Sequence, residues 1–229
     1  MMKRYFLHLF YKEWLKTRWA FLGTLLLGTA TILYIFIAVE NKITLTGAKT
    51  ILLRILYDEP PVIYYASFLY IPLLTALAIG IAQYVPEVIQ KRIRLTLHLP
   101  EKNNILISGM AGFGLILLTL SNLLYIGLFL YYNIRLFPEE LTKPVMISLT
   151  PWLLSSYIAY NFIAMIAMEP NKWRKVIYSV IAYYILQLFL VGNEPHGAFR
   201  ESLPIMTLMV LLSSGLVLYS SQRFYKGEK

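Results

Sequence analysis

A short basic stretch, residues 86–100, holds the side chains of this chain that are best placed to form specific ionic contacts. It reads Pro-Glu-Val-Ile-Gln-Lys-Arg-Ile-Arg-Leu-Thr-Leu-His-Leu-Pro. Glu87 precedes Lys91 by four residues, a spacing that brings opposite charges together on a helix. The two prolines suit a helix start and a helix end. The pattern therefore predicts a short amphipathic helix over residues 87–99.

Two interpretations of this predicted helix are open. A solvated loop that carries positive charge would explain its Lys and Arg residues. A helix that docks into a cleft of a partner protein would also explain its prolines and its two faces, so this interpretation accounts for more of the pattern. The predicted contact residues are then Glu87, Val88, Ile89, Lys91, Arg92 and Arg94.

Uncharged polar side chains collect in several apolar stretches. Ser179, Tyr183 and Gln187 recur every four residues and therefore share one face of a helix. Hydrogen bonding between membrane helices is the default explanation for such residues. A polar and aromatic lining for an amphiphilic cargo is the alternative. The same two explanations apply to Asn122, Ser155, Ser156, Tyr160 and Asn161.

Several classes of enzyme are excluded by what the sequence lacks. The chain has no cysteine, which excludes thiol catalysis and disulfides. It contains no His-Glu-x-x-His pattern, no Gly-x-Ser-x-Gly elbow and no phosphate-binding Gly-x-x-x-x-Gly-Lys-Ser/Thr sequence. We therefore expect no catalytic residues, no metal site and no cofactor in this chain.

The composition is that of a membrane protein. Hydrophobic residues make up 58% of the 229 residues and charged residues only 14%, whereas soluble domains carry about 25% charged residues. A bilayer core of about 30 Å needs about 20 apolar residues per helix. The chain therefore predicts a single all-α membrane domain, residues 1–229, with six spans free of charge at 19–39, 62–84, 105–132, 145–168, 176–191 and 203–220.

The distribution of basic residues predicts the orientation of these spans. Most of the 21 Lys and Arg residues fall in the N-terminal segment, the second and fourth connections and the C-terminal segment. Basic residues are enriched on the cytoplasmic side of membrane proteins, which assigns both termini to the cytoplasm. This bias also accounts for the net charge of +9, so we expect no nucleic-acid partner.

Two further segments have amphipathic patterns. Over residues 2–18, basic side chains recur every four residues on one face and aromatic side chains on another, which predicts an elbow helix at the membrane surface. A plain membrane anchor is the simpler alternative. In the connection 41–61, an apolar stripe predicts a short interfacial helix, formed by Ile51, Leu52, Ile55 and Leu56.

Together these features resemble the permease subunit of an ABC-2 type exporter. The resemblance extends over nearly the whole chain: a basic elbow, six spans, both termini inside and a coupling helix between spans two and three. The local match runs from Glu87 to Pro100, where an acidic residue and a basic cluster precede Arg-Leu-Thr-Leu-His-Leu-Pro, and the polar residues 101–104 follow.

The resemblance implies a set of partners and a path for cargo. Two copies of an ATPase subunit would bind ATP and Mg and would drive the coupling helices. A second permease copy or a paralogue would complete a dimer in a bacterial cytoplasmic membrane. Cargo would pass between spans two and five, where the candidate residues are Tyr70, Ser179, Tyr183 and Gln187.

Two other functions are also compatible with the sequence. A membrane scaffold or assembly factor without transport activity fits the uncharged spans equally well. An intramembrane lipid-modifying enzyme is a weaker hypothesis, because the spans contain no acid–base pair.

Overall fold

The computed structural model describes residues 2–58, 62–89, 103–192 and 194–226, and over these residues the protein is helical without strands. Two short 3₁₀ turns, Ala66–Phe68 and Ala198–Arg200, lie in the connections. The described residues form seven α-helices: α1 Met2–Thr46, α2 Ala48–Tyr57, α3 Ile71–Ile89, α4 Asn103–Leu136, α5 Glu139–Met168, α6 Lys172–Phe189 and α7 Leu203–Lys226.

Four helical segments are long and apolar enough to cross a membrane: His8–Thr46, Ala66–Ile89, Ser108–Leu136 and Glu139–Met168. They correspond to the first four predicted spans. At the fifth, α6 has 18 residues and carries three basic residues in its first turn, so its apolar part is short. At the sixth, the apolar part of α7 is also short, Leu203–Val217.

Helix α5 is the centre of the bundle and packs against α3, α4, α6 and α7. Its polar residues bond to neighbouring helices. Asn122 of α4 donates to Ser156 Oγ at 3.0 Å, and Asn161 donates to Ser213 and Ser214 of α7 at 2.8 and 3.0 Å. Hydrogen bonding between helices therefore explains Asn122, Ser156 and Asn161, as expected in an apolar environment, whereas Ser155 donates to the Trp152 carbonyl of its own helix.

Helix α1 corrects the prediction of a separate elbow over residues 2–18. It runs unbroken for 45 residues, or roughly 68 Å at 1.5 Å per residue, about twice the apolar thickness of a bilayer. Its N-terminal part also packs on the bundle: the ring centroids of Phe10 and Phe113 are 5.3 Å apart, and Trp14 joins the same apolar cluster. Residues 2–18 are thus continuous with the helix that contains predicted span one, without a break that would set off a separate elbow.

Helix α3 corrects two predicted boundaries. The second span was expected to begin at residue 62, but the chain turns and forms a 3₁₀ turn before α3 starts at Ile71. Pro86 was expected to start a new helix, but it lies inside α3, which continues to Ile89. Most of the predicted coupling helix, residues 90–99, lies outside the described residues.

The connection after span one contains a short helix, α2, where the sequence predicts one. Gly47 has φ 84°, a left-handed value that favours glycine, and it separates α1 from α2. Of the predicted apolar stripe on α2, Ile55 is buried and Ile51 packs on the same apolar cluster, whereas Leu56 is 51% exposed. Helix α2 therefore packs on the bundle through the face that carries Ile51 and Ile55, and its other faces are exposed.

The connection between α6 and α7 packs against the end of α5. It contains the 3₁₀ turn Ala198–Arg200, and its Val191 carbonyl accepts a partly buried hydrogen bond from Trp152 Nε1 of α5 at 3.1 Å. Tyr65 Oη and His196 Nδ1 are 2.8 Å apart at the same end of the bundle. Burial raises the pKa of Tyr65 to about 12 and lowers the pKa of His196.

The lowered pKa of His196 predicts acid sensitivity. A base whose folded-state pKa is below its unfolded value contributes stability above the unfolded pKa, about 6.5 for histidine, and loses it as the pH falls toward the folded value. We expect the thermal unfolding midpoint in detergent to drop between pH 7.5 and 5. His196→Gln should flatten this slope, and an unchanged slope would contradict the prediction.

Candidate functional site

Four charged side chains of α1 and α3 form a buried ionic cluster, which consists of Lys12, Glu13, Lys16 and Glu87. Lys16 Nζ donates to Glu13 Oε1 at 2.6 Å and to Glu87 Oε1 at 2.9 Å. Lys12 Nζ lies 2.9 Å from Glu87 Oε1. Both glutamates are almost fully buried, at 0% and 1% exposure. The ionic cluster therefore joins the N-terminal part of α1 to the last turn of α3.

The helical register of α1 places Glu13 inside the bundle. Leu9, Glu13 and Thr17 are spaced four residues apart and are all buried, so they form the face of α1 that packs on the bundle. Lys16 follows Glu13 by three residues, which brings its ammonium beside that carboxylate. Its side chain is only 16% exposed, so it neutralises charge inside the protein.

The charges of the ionic cluster balance, with two ammonium groups and two carboxylates. One oxygen of each carboxylate, Glu13 Oε2 and Glu87 Oε2, is buried and has no hydrogen-bond partner within the described ranges. Burying ions costs several kcal/mol each, and partners must offset this cost. Both carboxylates therefore depend on Lys16, the least exposed cation of the cluster.

A hydrogen-bonded network continues from the ionic cluster into the bundle. Gln83 lies one helical turn before Glu87 and donates to the Met110 carbonyl of α4 at 2.7 Å. Tyr160 of α5 donates to Gln83 Oε1 at 2.7 Å, and the hydroxyls of Tyr84 and Tyr160 are 3.1 Å apart. The end of α3 is thus tied to α1, α4 and α5.

Only part of the predicted partner-contact set lies within the described residues. Glu87 is directed into the ionic cluster, Val88 is half-buried and Ile89 is 74% exposed. Lys91, Arg92 and Arg94 lie outside the described residues. Of these six, Glu87 therefore has an internal role that the sequence did not predict.

The predicted cargo-path residues are divided between two places. Ser179, Tyr183 and Gln187 share an exposed face of α6, and Ser179 Oγ donates to the Lys175 carbonyl of its own helix at 2.8 Å. Hydrogen bonding to another helix therefore does not explain this face. Tyr70 is 56% exposed just before α3, and no described contact joins it to the other three.

Sequence reasoning missed most of the ionic cluster and the network. Glu13 was not considered, and Lys12 and Lys16 were assigned to a face directed at headgroups or water. The sequence does contain one indication: Glu13 shares a helix face with Leu9 and Thr17, because the three residues are spaced four apart. A carboxylate on the buried face of a helix needs a cation inside the protein. The sequence alone does not say which other helix packs against that face.

The fold and this site define a helical membrane protein whose first and third helices are locked together by buried charges. Among the described residues, no group of three His, Asp or Glu side chains is arranged to hold a metal ion. Comparisons with protein-family models, with curated proteins and with solved structures found no match.

Proposed function

We propose that this chain is the permease subunit of an ATP-driven exporter of the ABC-2 type. It would cross a bacterial cytoplasmic membrane six times with both termini inside, α6 and α7 supplying the last two spans. Two copies of a separate ATPase subunit would bind ATP and Mg. A second permease copy or a paralogue would complete the complex.

The observation that carries this proposal is the anchored end of α3. Helix α3 continues past Pro86 to Ile89, and its last turn holds the buried Glu87. The rest of the basic stretch, residues 90–100, follows directly in sequence, and we call it the basic segment. A force that a partner applies to the basic segment would therefore reach α1 through Glu87 and would reach α5 through the Gln83–Tyr160 hydrogen bond. Permease subunits need such a link between ATPase and membrane helices.

The exposed face of α6 supports the second part of the proposal. Three polar or aromatic side chains, Ser179, Tyr183 and Gln187, lie on a helix face that no other described helix covers. A second permease copy placed against this face would turn it into an internal surface. Tyrosine, serine and glutamine suit an amphiphilic cargo, since they offer both ring surface and hydrogen bonds.

A charge reversal in the basic segment tests the proposed ATPase contact. We expect the double variant Lys91→Glu/Arg92→Glu to lose the co-purified ATPase and the ATP turnover of the complex. Both residues lie outside the part of the chain that the structure describes, whereas Glu87 belongs to the ionic cluster. The matched control is Lys172→Glu/Arg174→Glu, which reverses two charges at the exposed start of α6 and should retain the ATPase.

Two outcomes would contradict the proposal. If the segment variant retains the ATPase and its turnover, residues 91 and 92 do not dock it. If both double variants lose the ATPase equally, net charge rather than a defined helix controls binding. The thermal unfolding midpoint of each variant shows whether the membrane part is still folded.

A further inference from the structure

A cavity of about 480 Å³ lies at the end of the bundle that holds the C-terminal part of α1. It is enclosed by α1, by α2 and by the segment that follows residue 61. Most of its wall is apolar or aromatic, formed by Tyr34, Ile35, Ala38, Val39, Ile51, Ile55, Val62, Ile63 and Tyr64. We name it the α1–α2 cavity.

The turn at Gly47 accounts for this cavity. Its left-handed φ of 84° folds α2 back toward α1, and Ile55, at 3% exposure, is the buried anchor of α2. The remainder of α2 does not close on α1. A gap is left between the two helices, with apolar walls from both.

Two cations stand at this cavity. Lys42 of α1 and Arg54 of α2 both line it and are exposed. Within the described part of the chain, neither forms an ion pair with a carboxylate. Asp58 also lines the cavity, so the charged side chains of its described wall carry one net positive charge.

We propose that the α1–α2 cavity binds one anionic membrane lipid. Its negatively charged headgroup would contact Lys42 and Arg54, whose guanidinium suits phosphate oxygens. Tyr34 and Lys42 are eight residues apart on α1, about 12 Å along the helix axis. One acyl chain can therefore extend from the cations along Ala38 and Ile35 toward Tyr34.

The surroundings favour a lipid over a soluble anion. The cavity wall is mainly apolar, which a small hydrophilic anion would not cover. Helix α2 also exposes Leu53, Leu56 and Tyr57, at 45%, 51% and 75%, and exposed apolar side chains on an amphipathic helix are typical of contact with a bilayer. This site does not depend on the proposed export function.

Native mass spectrometry of the full chain with added lipid tests this proposal. The probes are phosphatidylglycerol and phosphatidylcholine with identical acyl chains, and soluble glycerol phosphate. We expect phosphatidylglycerol to bind more tightly than phosphatidylcholine. The double variant Lys42→Gln/Arg54→Gln should weaken phosphatidylglycerol binding about tenfold, because each basic residue near a membrane surface contributes appreciably to anionic lipid affinity.

The matched control is Lys49→Gln/Arg135→Gln, which removes two exposed cations that do not line the cavity. It should bind phosphatidylglycerol as the unchanged protein does. A second variant, Ala38→Phe, places a ring in the cavity and should weaken binding while both cations remain. The thermal unfolding midpoint without added lipid verifies that each variant is folded.

Three results would overturn the proposal. Equal loss of binding in the two double variants would show a general charge effect. Equal affinity for the two lipids would show that Lys42 and Arg54 do not select the headgroup. Displacement of the lipid by glycerol phosphate at an equal concentration would show a soluble-anion site instead of a lipid site.

Discussion

Replacing Lys16 by methionine is expected to lower the free energy of unfolding by about 3–5 kcal/mol, the range for removing one partner of a buried ion pair. Lys16 contacts both Glu13 and Glu87, and each of these carboxylates is at most 1% exposed. Methionine keeps most of the apolar stem of lysine and removes its charge, so the loss is mainly electrostatic. Equilibrium unfolding in mixed micelles measures it.

The control for this prediction is an exposed pair on α5. Lys143 lies 2.9 Å from Glu139, and both side chains are about three-quarters exposed. Lys143→Met therefore removes an ion pair of similar length from water, where such pairs contribute little. We expect no measurable change in its unfolding midpoint. An equal effect of the two substitutions would contradict the assignment of Lys16 to a buried cluster.

A rescue variant separates charge from packing. In Glu13→Gln/Lys16→Met/Glu87→Gln, the uncompensated carboxylates are gone, and replacement of a buried ionic group by neutral side chains is often tolerated. The triple variant should therefore recover most of the stability that Lys16→Met loses. If it is less stable than Lys16→Met, the loss comes from packing and not from buried charge.

Replacing Gly114 by alanine is the substitution with the second largest expected effect. A Cβ at this position would collide with the Tyr160 hydroxyl and would lie 2.6 Å from Gln83 Oε1. Tyr160 must then move and its hydrogen bond to Gln83 is lost. Overpacking costs about 1–3 kcal/mol, and unsatisfied buried groups add to that. Unfolding in mixed micelles measures the change.

Gly112 is the matched control on the same helix. A Cβ there meets nothing within 4 Å, and alanine favours helix more than glycine. Gly112→Ala should therefore be neutral or slightly stabilising. If both alanine variants are equally destabilised, the contact between Gly114 and Tyr160 does not explain the effect.

These two glycines illustrate how far the sequence predicts the packing. Small residues in apolar helices usually lie at close helix contacts, so the sequence predicts such contacts for Gly80, Gly112 and Gly114, among others. A Cβ placed on Gly80 would lie 3.1 Å from side-chain carbons of Ile163, and one placed on Gly114 would meet the Tyr160 ring. Gly112 was wrong. The pattern identifies small residues, but the rotation of α4 decides which of them meet a neighbour.

The helices themselves were largely predictable, since apolar length is a local property of the sequence. All six predicted spans are helical for most of their length. The predicted helix boundaries were less accurate. Pro86 was expected to start a helix, yet α3 passes through it, because a helix packed against its neighbours tolerates a proline that an isolated helix would not.

The ionic cluster was not predictable from the sequence, because it depends on a contact between residues 71 positions apart. Lys12 and Lys16 lie on a regular basic line that also suits headgroups. Glu87 lies on a pattern that also suits a helix with Lys91. Each local pattern is satisfied without the other, and only the packing of α1 on α3 brings them together.

The most direct test of the proposed export function uses the fact that the chain has no cysteine. The variant Arg92→Cys then carries a single thiol in the basic segment, and Arg135→Cys carries one at the end of α4. In native membranes with a thiol-reactive crosslinker, we predict a crosslink to an ATPase subunit from position 92 and none from position 135. No crosslink from position 92, or equal crosslinks from both, would contradict the account.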